Sequence, residues 1–172
     1  MTEIIVVASA PGREHWLNDC LNSIGSREVL VLRQADTWEL GKIKWLYENT
    51  TLDRFMFMQD TVVVKDESFF DMAFSLNGSV SITNDPRMFG MYMGIYTRDT
   101  LSKVRLYTPA TKQDAIKAEI DWTSTYYQAE PSTHLLFTDF TDATAKRKEE
   151  RYGRINLVLE NDYLIKYKGT WE

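Results

Sequence analysis

The sequence is poor in the residues that build disulfide and metal frameworks, with one cysteine and two histidines among 172 residues. A single cysteine cannot form an internal disulfide, and it excludes a cysteine-rich zinc site. His15 and His134 lie far apart in the chain and lack the spacing of a zinc-protease helix. No GxSxG, Walker or GxGxxG motif is present either, so a hydrolase triad, a P-loop and a dinucleotide site have no support.

Long apolar runs are also absent, since no stretch approaches the roughly 18 residues that a membrane-spanning helix needs. The first residues contain too short an apolar run, and no basic leader, for a signal peptide. We therefore expect no membrane span and a cytoplasmic location. The net charge of −5 argues against a protein that coats nucleic acid.

The chain does contain ample material for a core, with 44% hydrophobic residues. Short apolar runs at 4–8, 29–32 and 55–58 predict buried strands, and helical spacing predicts helices over 14–24, 38–47 and 66–74. This alternation predicts an α/β fold with a mostly parallel sheet and helices on its faces. Loops 8–13, 33–36 and 59–61 then follow the carboxyl ends of the strands. They should converge on one crevice.

The second half has a weaker pattern. It suggests strands over 79–83 and 91–96, separated by a turn at 84–86, and helices over 100–104 and 112–128. The second helix carries an apolar stripe formed by Ile116, Ile120, Thr123 and Tyr127. Residues 135–137 read as a strand or a buried turn, the charged run 146–152 as a helical segment, and 156–159 and 163–168 as extended chain.

Asp60 stands at the end of the most apolar strand, where a carboxylate can hold a divalent cation or a sugar hydroxyl. The alternative is a carboxylate that accepts hydrogen bonds from amides of its own turn. The small-residue loop that ends at Arg13 lets backbone amides approach a ligand, and Arg13 can pair with a phosphate. The alternative there is an ordinary turn with a solvated arginine.

Basic residues accumulate near the end of the sequence, giving a local charge of +3 between residues 146 and 168. Arg154, Lys166 and Lys168 are interleaved with aromatic residues, which suits contact with a diphosphate or another polyanion. A solvated charged face is the alternative, chiefly for 146–148. On the predicted helix 112–128, Asp114, Glu119 and Asp121 are candidates for a general base, although most helical acids are solvated.

Three segments share a recognisable pattern: the Val-Ala-Ser-Ala-Pro-Gly-Arg-Glu start followed by Trp-Leu-Asn-Asp-Cys-Leu-Asn-Ser-Ile, the Phe-Met-Phe-Met-Gln-Asp strand, and the 89–101 segment. They resemble the corresponding parts of GT-A-type glycosyltransferases. The tail, with Tyr-Gly-Arg-x-Asn and Lys-Tyr-Lys-Gly-Thr-Trp, resembles small glycosyltransferase-like proteins encoded by bacteriophages. The resemblance implies a GT-A-like, Rossmann-like domain over 1–172 with a short C-terminal extension. Residues 1–75 would bind the donor, 76–145 would face the acceptor, and 146–172 would form a basic tail.

The resemblance also implies transfer of a sugar from a nucleotide-sugar donor, most simply a UDP-sugar, to an acceptor hydroxyl. Donor contacts would come from the residues at the strand ends and in the tail: Ser9, Ala10, Arg13, Asp36, Gln59, Asp60, Arg154, Lys166 and Lys168. Glu119 or Asp121 would be the catalytic base. Asp60 would hold Mn²⁺ or Mg²⁺, but the usual second Asp is missing because the motif reads Gln-Asp-Thr-Val.

The acceptor stays open among a hydroxymethylated base in phage DNA, a virion protein and a small molecule. A phage-encoded enzyme would work in the host cytoplasm. The alternatives in function are a non-catalytic nucleotide- or sugar-binding module and a virion-associated interaction protein.

Overall fold

The computed structural model describes residues 3–83 and 93–169. Its strands are β1 (Ile5–Ala8), β2 (Val29–Leu32), β3 (Arg54–Gln59), β4 (Val62–Val64), β5 (Val80–Thr83), β6 (Gly94–Thr97), β7 (His134–Phe137), β8 (Arg147–Arg151), β9 (Arg154–Glu160) and β10 (Leu164–Gly169). Its helices are α1 (Glu14–Ile24), α2 (Trp38–Asn49), α3 (Ser68–Ser75), α4 (Arg98–Leu101) and α5 (Lys112–Ala129), with a 3₁₀ turn at Asp142–Thr144.

The larger sheet has six strands in the order β2-β1-β3-β6-β5-β7. β1 pairs in parallel with both β2 and β3, and β5 pairs in parallel with β7, whereas β6 is antiparallel to its neighbours β3 and β5. The α/β class is therefore confirmed, but the sheet is mixed rather than mostly parallel. β6 lies between β3 and β5 and runs opposite to both, so the strand direction changes in the middle of the sheet.

The two faces of this sheet carry separate apolar cores, because alternate residues of a strand point to opposite sides. On β3, Phe55 and Phe57 face the core shared with α2 and α5, and Met56 and Met58 face the core shared with α1 and α3. Aromatic rings concentrate in the first core, where Tyr96 contacts Phe55, Phe57, Trp122 and Tyr126. The sheet is thus covered on both faces.

A second sheet of four antiparallel strands has the order β4-β10-β9-β8. Only Asp60 and Thr61 separate β3 in the first sheet from β4 in the second. Leu159 and Leu164 of this sheet are buried in the core beneath the larger sheet. The basic C-terminal segment is therefore an integral layer of the fold rather than a short extension.

Two local predictions differ from the structure. Residues 147–151 form edge strand β8 instead of a helix, and α4 begins at Arg98 instead of residue 100. Charged residues on β8 occupy an exposed edge, where they oppose pairing with other chains. The predicted turn at 84–86 and the first part of the 89–101 segment, residues 89–92, lie outside the described residues. In the described part of the chain, none of the helices is long and apolar enough to cross a bilayer.

Candidate functional site

A cavity of about 770 Å³ opens at the carboxyl ends of β1, β2 and β3, between the two sheets and the first half of α5. The three loops expected to converge do meet there. Ten of the predicted site residues line it: Ser9, Ala10, Arg13, Asp36, Gln59, Asp60, Glu119, Arg154, Lys166 and Lys168. The other two candidate bases, Asp114 and Asp121, are exposed on α5 and do not line the cavity. Glu119 is thus the predicted base that reaches the cavity.

Asp60 joins the end of β3 to the loop after β1. Arg13 donates to it through two nitrogens, Nε to Oδ2 and Nη2 to Oδ1, both at 2.7 Å, and Ser9 Oγ donates to Oδ2 at 2.8 Å. The carboxylate is 4% exposed, and its bond raises the pKa of Arg13. The carboxylate is therefore held by side chains of the loop after β1 rather than by the amides of its own turn.

The donor set around Asp60 does not fit a divalent cation. Both of its oxygens already accept from Arg13, and a bidentate guanidinium occupies the side of the carboxylate that a metal would use. Among the described residues, no group of three or more acidic, histidine or cysteine side chains is arranged to hold a metal. Arg13 supplies the positive charge beside Asp60 directly.

Lys166 lies deep in the wall formed by β10, at 6% exposure. Its Nζ donates to Gln59 Oε1 at 2.5 Å and to Thr61 Oγ1, and Gln59 Nε2 donates in turn to Glu39 Oε1 at 3.0 Å. No carboxylate of a described residue touches Lys166. Burial therefore lowers its pKa to about 8, although Asp60, Glu39 and Glu119 oppose that shift from a distance.

Arg154 of β9 reaches the same wall. Its Nε donates to Asn156 Oδ1 at 2.9 Å, and its guanidinium carbon lies 5.2 Å from the centroid of the Trp16 ring. Burial and the neighbouring Arg13 both lower its pKa. No described carboxylate pairs with it. Gly169 makes room for it, because a Cβ there would lie 3.2 Å from the guanidinium carbon.

Lys168 lies on the same wall and donates to Asp142 at 2.9 Å. With Arg154 and Lys166 it forms what we call the cationic wall. Two of its three members, Arg154 and Lys166, carry charge without a contacting counterion in the described chain. A buried charge of this kind is costly unless a ligand of opposite sign completes it.

Glu119 projects from α5 toward the cationic wall. It is half-buried and makes no hydrogen bond or ion pair with a described residue. Burial, followed by repulsion from Glu39, raises its pKa to about 7, while Lys166 and Lys168 act in the opposite direction. A carboxyl group with such a pKa can accept a proton near neutral pH.

The loop between β2 and α2 forms the remaining side of the cavity. Asp36 and Trp38 both have left-handed backbone conformations, with φ of 57° and 48°. For a residue as bulky as tryptophan this conformation is strained. The buried Lys42 holds the loop by donating to Gln34 O at 3.0 Å and Thr37 Oγ1 at 2.9 Å.

Sequence reasoning missed several residues of the cavity, namely Trp38, Glu39, Lys42, Ile116, Ile120 and Gly169. Trp38 and Glu39 could have been predicted to line the cavity, because they follow directly after the loop 33–36. Of the predicted apolar stripe on α5, Thr123 is buried and Tyr127 packs against the core, but Ile116 and Ile120 are 40% and 48% exposed. Ala115, Ala118, Trp122 and Tyr126 complete the buried face in their place.

No family model and no curated protein matches the chain. Among solved structures, the crystal structure of A197 from STIV is similar to it, with a TM-score of 0.55 over 99% of this chain and 95% of that one. The two sequences are 12% identical, so the likeness concerns the fold alone.

Proposed function

We propose that this protein transfers a sugar from a nucleotide-sugar donor to an acceptor hydroxyl, on a GT-A-like fold. The observation that carries the proposal is the cavity itself. It combines two cations that lack a contacting counterion, Arg154 and Lys166, with a carboxyl group of raised pKa on the facing helix, Glu119. The two cations suit a leaving diphosphate, and the carboxyl group suits a general base.

The donor diphosphate lies against the cationic wall. Lys166 and Arg154 neutralise the charge that develops on the leaving oxygen, and Lys168 adds to the positive field. The nucleoside end extends toward Asp36 and Trp38, where an acid can accept from ribose hydroxyls and an indole ring offers a flat apolar face. A UDP-sugar is the simplest donor of this shape.

In the reaction, the acceptor oxygen forms a bond to the anomeric carbon while the bond from that carbon to the diphosphate breaks. The electron pair of the broken bond stays on the diphosphate oxygen. Glu119 takes the proton of the acceptor hydroxyl. Because Asp60 is engaged by Arg13, no step of this reaction is assigned to Mn²⁺ or Mg²⁺ at that residue.

The test is a thermal-shift screen of nucleotide sugars and free UDP, with and without EDTA. At one hundred times Kd a bound ligand stabilises the native state by about 2.7 kcal/mol, which corresponds to roughly 5–10 °C for a chain of this size. Lys166→Met should remove the shift, whereas Lys44→Met, on the exposed side of α2, should keep it. If no nucleotide shifts the melting temperature, the proposal fails.

A non-catalytic nucleotide-binding module is the second candidate. The engagement of Asp60 by Arg13 favours it, because the one acid of the resembled metal motif is not available. Release of UDP from a bound donor, measured with and without acceptor, separates the two. Binding without any release of UDP would favour the module. Phage DNA, a virion protein and a small molecule remain the proposed acceptors.

A further inference from the structure

The face of α5 that lines the cavity has an unusual composition for a site built around charges. Ile116 and Ile120 lie one helical turn apart, and Glu119 lies between them in sequence on the same face. Helix α5 also contributes Lys112, at its first turn, to the lining of the cavity. Beyond Lys112, this helix offers the cavity two isoleucines and one carboxyl group, and that carboxyl group is within electrostatic reach of Lys166 and Lys168.

The two isoleucines do not belong to either core. The helix is packed on the sheet through Ala115, Ala118, Trp122 and Tyr126, while Ile116 and Ile120 are 40% and 48% exposed. Single exposed apolar side chains need no explanation. A pair that flanks an accessible carboxyl group inside a concave site forms a surface on which an apolar group can pack.

We infer that this face, Ile116–Glu119–Ile120, receives an acceptor whose hydroxyl is carried on an apolar ring. The inference deepens the proposed function and rests on it. The hydroxyl donates to Glu119, which has no other partner among the described residues, and the ring covers the two isoleucines. A polyol would place hydroxyl groups against both isoleucines and leave them unpaired, which costs binding free energy.

The probes are benzyl alcohol and glycerol, which both offer primary hydroxyls but differ in the apolar ring. Saturation-transfer NMR on the full chain with UDP present measures their binding without requiring turnover. We expect transfer to the ring protons of benzyl alcohol and little transfer to glycerol. In the double variant Ile116→Ser and Ile120→Ser, benzyl alcohol should bind about tenfold more weakly, as expected for loss of this apolar contact.

Leu135→Ser is the matched control, because Leu135 is 45% exposed and does not line the cavity. It should leave benzyl alcohol binding unchanged. Equal binding of the two probes, or no loss in the double variant, would overturn the inference. The inference would also be overturned if the wild-type chain were a dimer and the double variant a monomer. A second copy of the chain would then cover this face in place of an acceptor.

The UDP thermal shift distinguishes failure of this inference from failure of the proposed function. It depends on the cationic wall, so it should be the same in the double variant and in the wild type. A normal UDP shift without a preference for benzyl alcohol refutes only the acceptor class. If UDP causes no shift in the melting temperature of the wild type, the proposed function is refuted.

Discussion

Replacing Glu119 with glutamine should stabilise the protein above neutral pH, although the residue is the proposed catalytic base. The wild-type carboxyl group must ionise in a half-buried position without a hydrogen-bonding partner among the described residues, which raises its pKa from 4.5 to about 7. The folded state therefore binds this proton more tightly than the unfolded state. Stability from this group is complete at acid pH and is lost as pH rises between about 4.5 and 7.

The size of the effect follows from the same shift. Between 4.5 and about 7, the cost of ionising Glu119 in the folded protein reaches about 3 kcal/mol. Solvent in the open cavity and the lost attraction between Glu119 and Lys166 both reduce the gain from the glutamine. We therefore expect Glu119→Gln to add about 1–2 kcal/mol at pH 8, or roughly 2–8 °C in melting temperature. At pH 4 the two proteins should melt together.

Urea unfolding and thermal melts at pH 4 and pH 8 measure this difference. Asp121→Asn is the control, because it removes an exposed carboxylate two residues further along the same helix and should not change stability with this pH dependence. The reasoning is refuted if Glu119→Gln melts at or below the wild-type temperature at pH 8. An equal gain at both pH values would also refute it, because that would indicate packing rather than ionisation.

The other predictions concern the ionisable and basic groups of the cavity. The kcat/KM for transfer should be greatest between about pH 7 and 8, because Glu119 must be deprotonated and Lys166 protonated; a profile flat from pH 6 to 9 would contradict this. Gly169→Ala should weaken UDP binding by about three- to tenfold in calorimetry, since a Cβ would displace Arg154, and unchanged affinity would remove that arginine from the site. Asp60→Ala should lower the free energy of unfolding by about 3 kcal/mol in urea, because it leaves a half-buried guanidinium unpaired, and a loss below about 1 kcal/mol would point to a purely ligand-binding carboxylate.

The location of the cavity could be predicted because it follows from local patterns and one topological rule. The runs at 4–8, 29–32 and 55–58 are short, apolar and bounded by polar residues, so their assignment as buried strands needed no tertiary information. Parallel pairing of β1 with β2 and β3 then brings their carboxyl ends to one edge. The convergence of the three loops is a consequence of that pairing.

The role of Asp60 could not be predicted, because it depends on a long-range contact. Arg13 is 47 residues away in sequence, and nothing local indicates that the two side chains meet. An acid that forms a structural ion pair and an acid that binds a ligand give the same sequence pattern, which is an acidic residue directly after an apolar strand.

The secondary structure of the second half of the chain is harder to predict, because contacts with neighbouring elements decide it. Residues 147–151 are all charged, which suits an exposed helix as well as an exposed edge strand, and pairing with β9 decides between them. On α5, alanines at 115 and 118 form the packed face because they allow the helix to approach the sheet closely. The larger isoleucines, which a hydrophobicity pattern favours for the core, are left on the cavity side.

The strands β1, β2 and β3 and the cationic wall lie on the same cavity but far apart in sequence, which has a consequence for synthesis of the chain. The hydrogen bond from Lys166 to Gln59 joins residues 107 positions apart. At typical rates of translation the ribosome needs roughly 5–20 s to add that many residues. A nascent chain that has already paired β1, β2 and β3 therefore lacks the cationic wall until β9 and β10 emerge. An increase in ligand capture during translation would report on the arrival of these two strands.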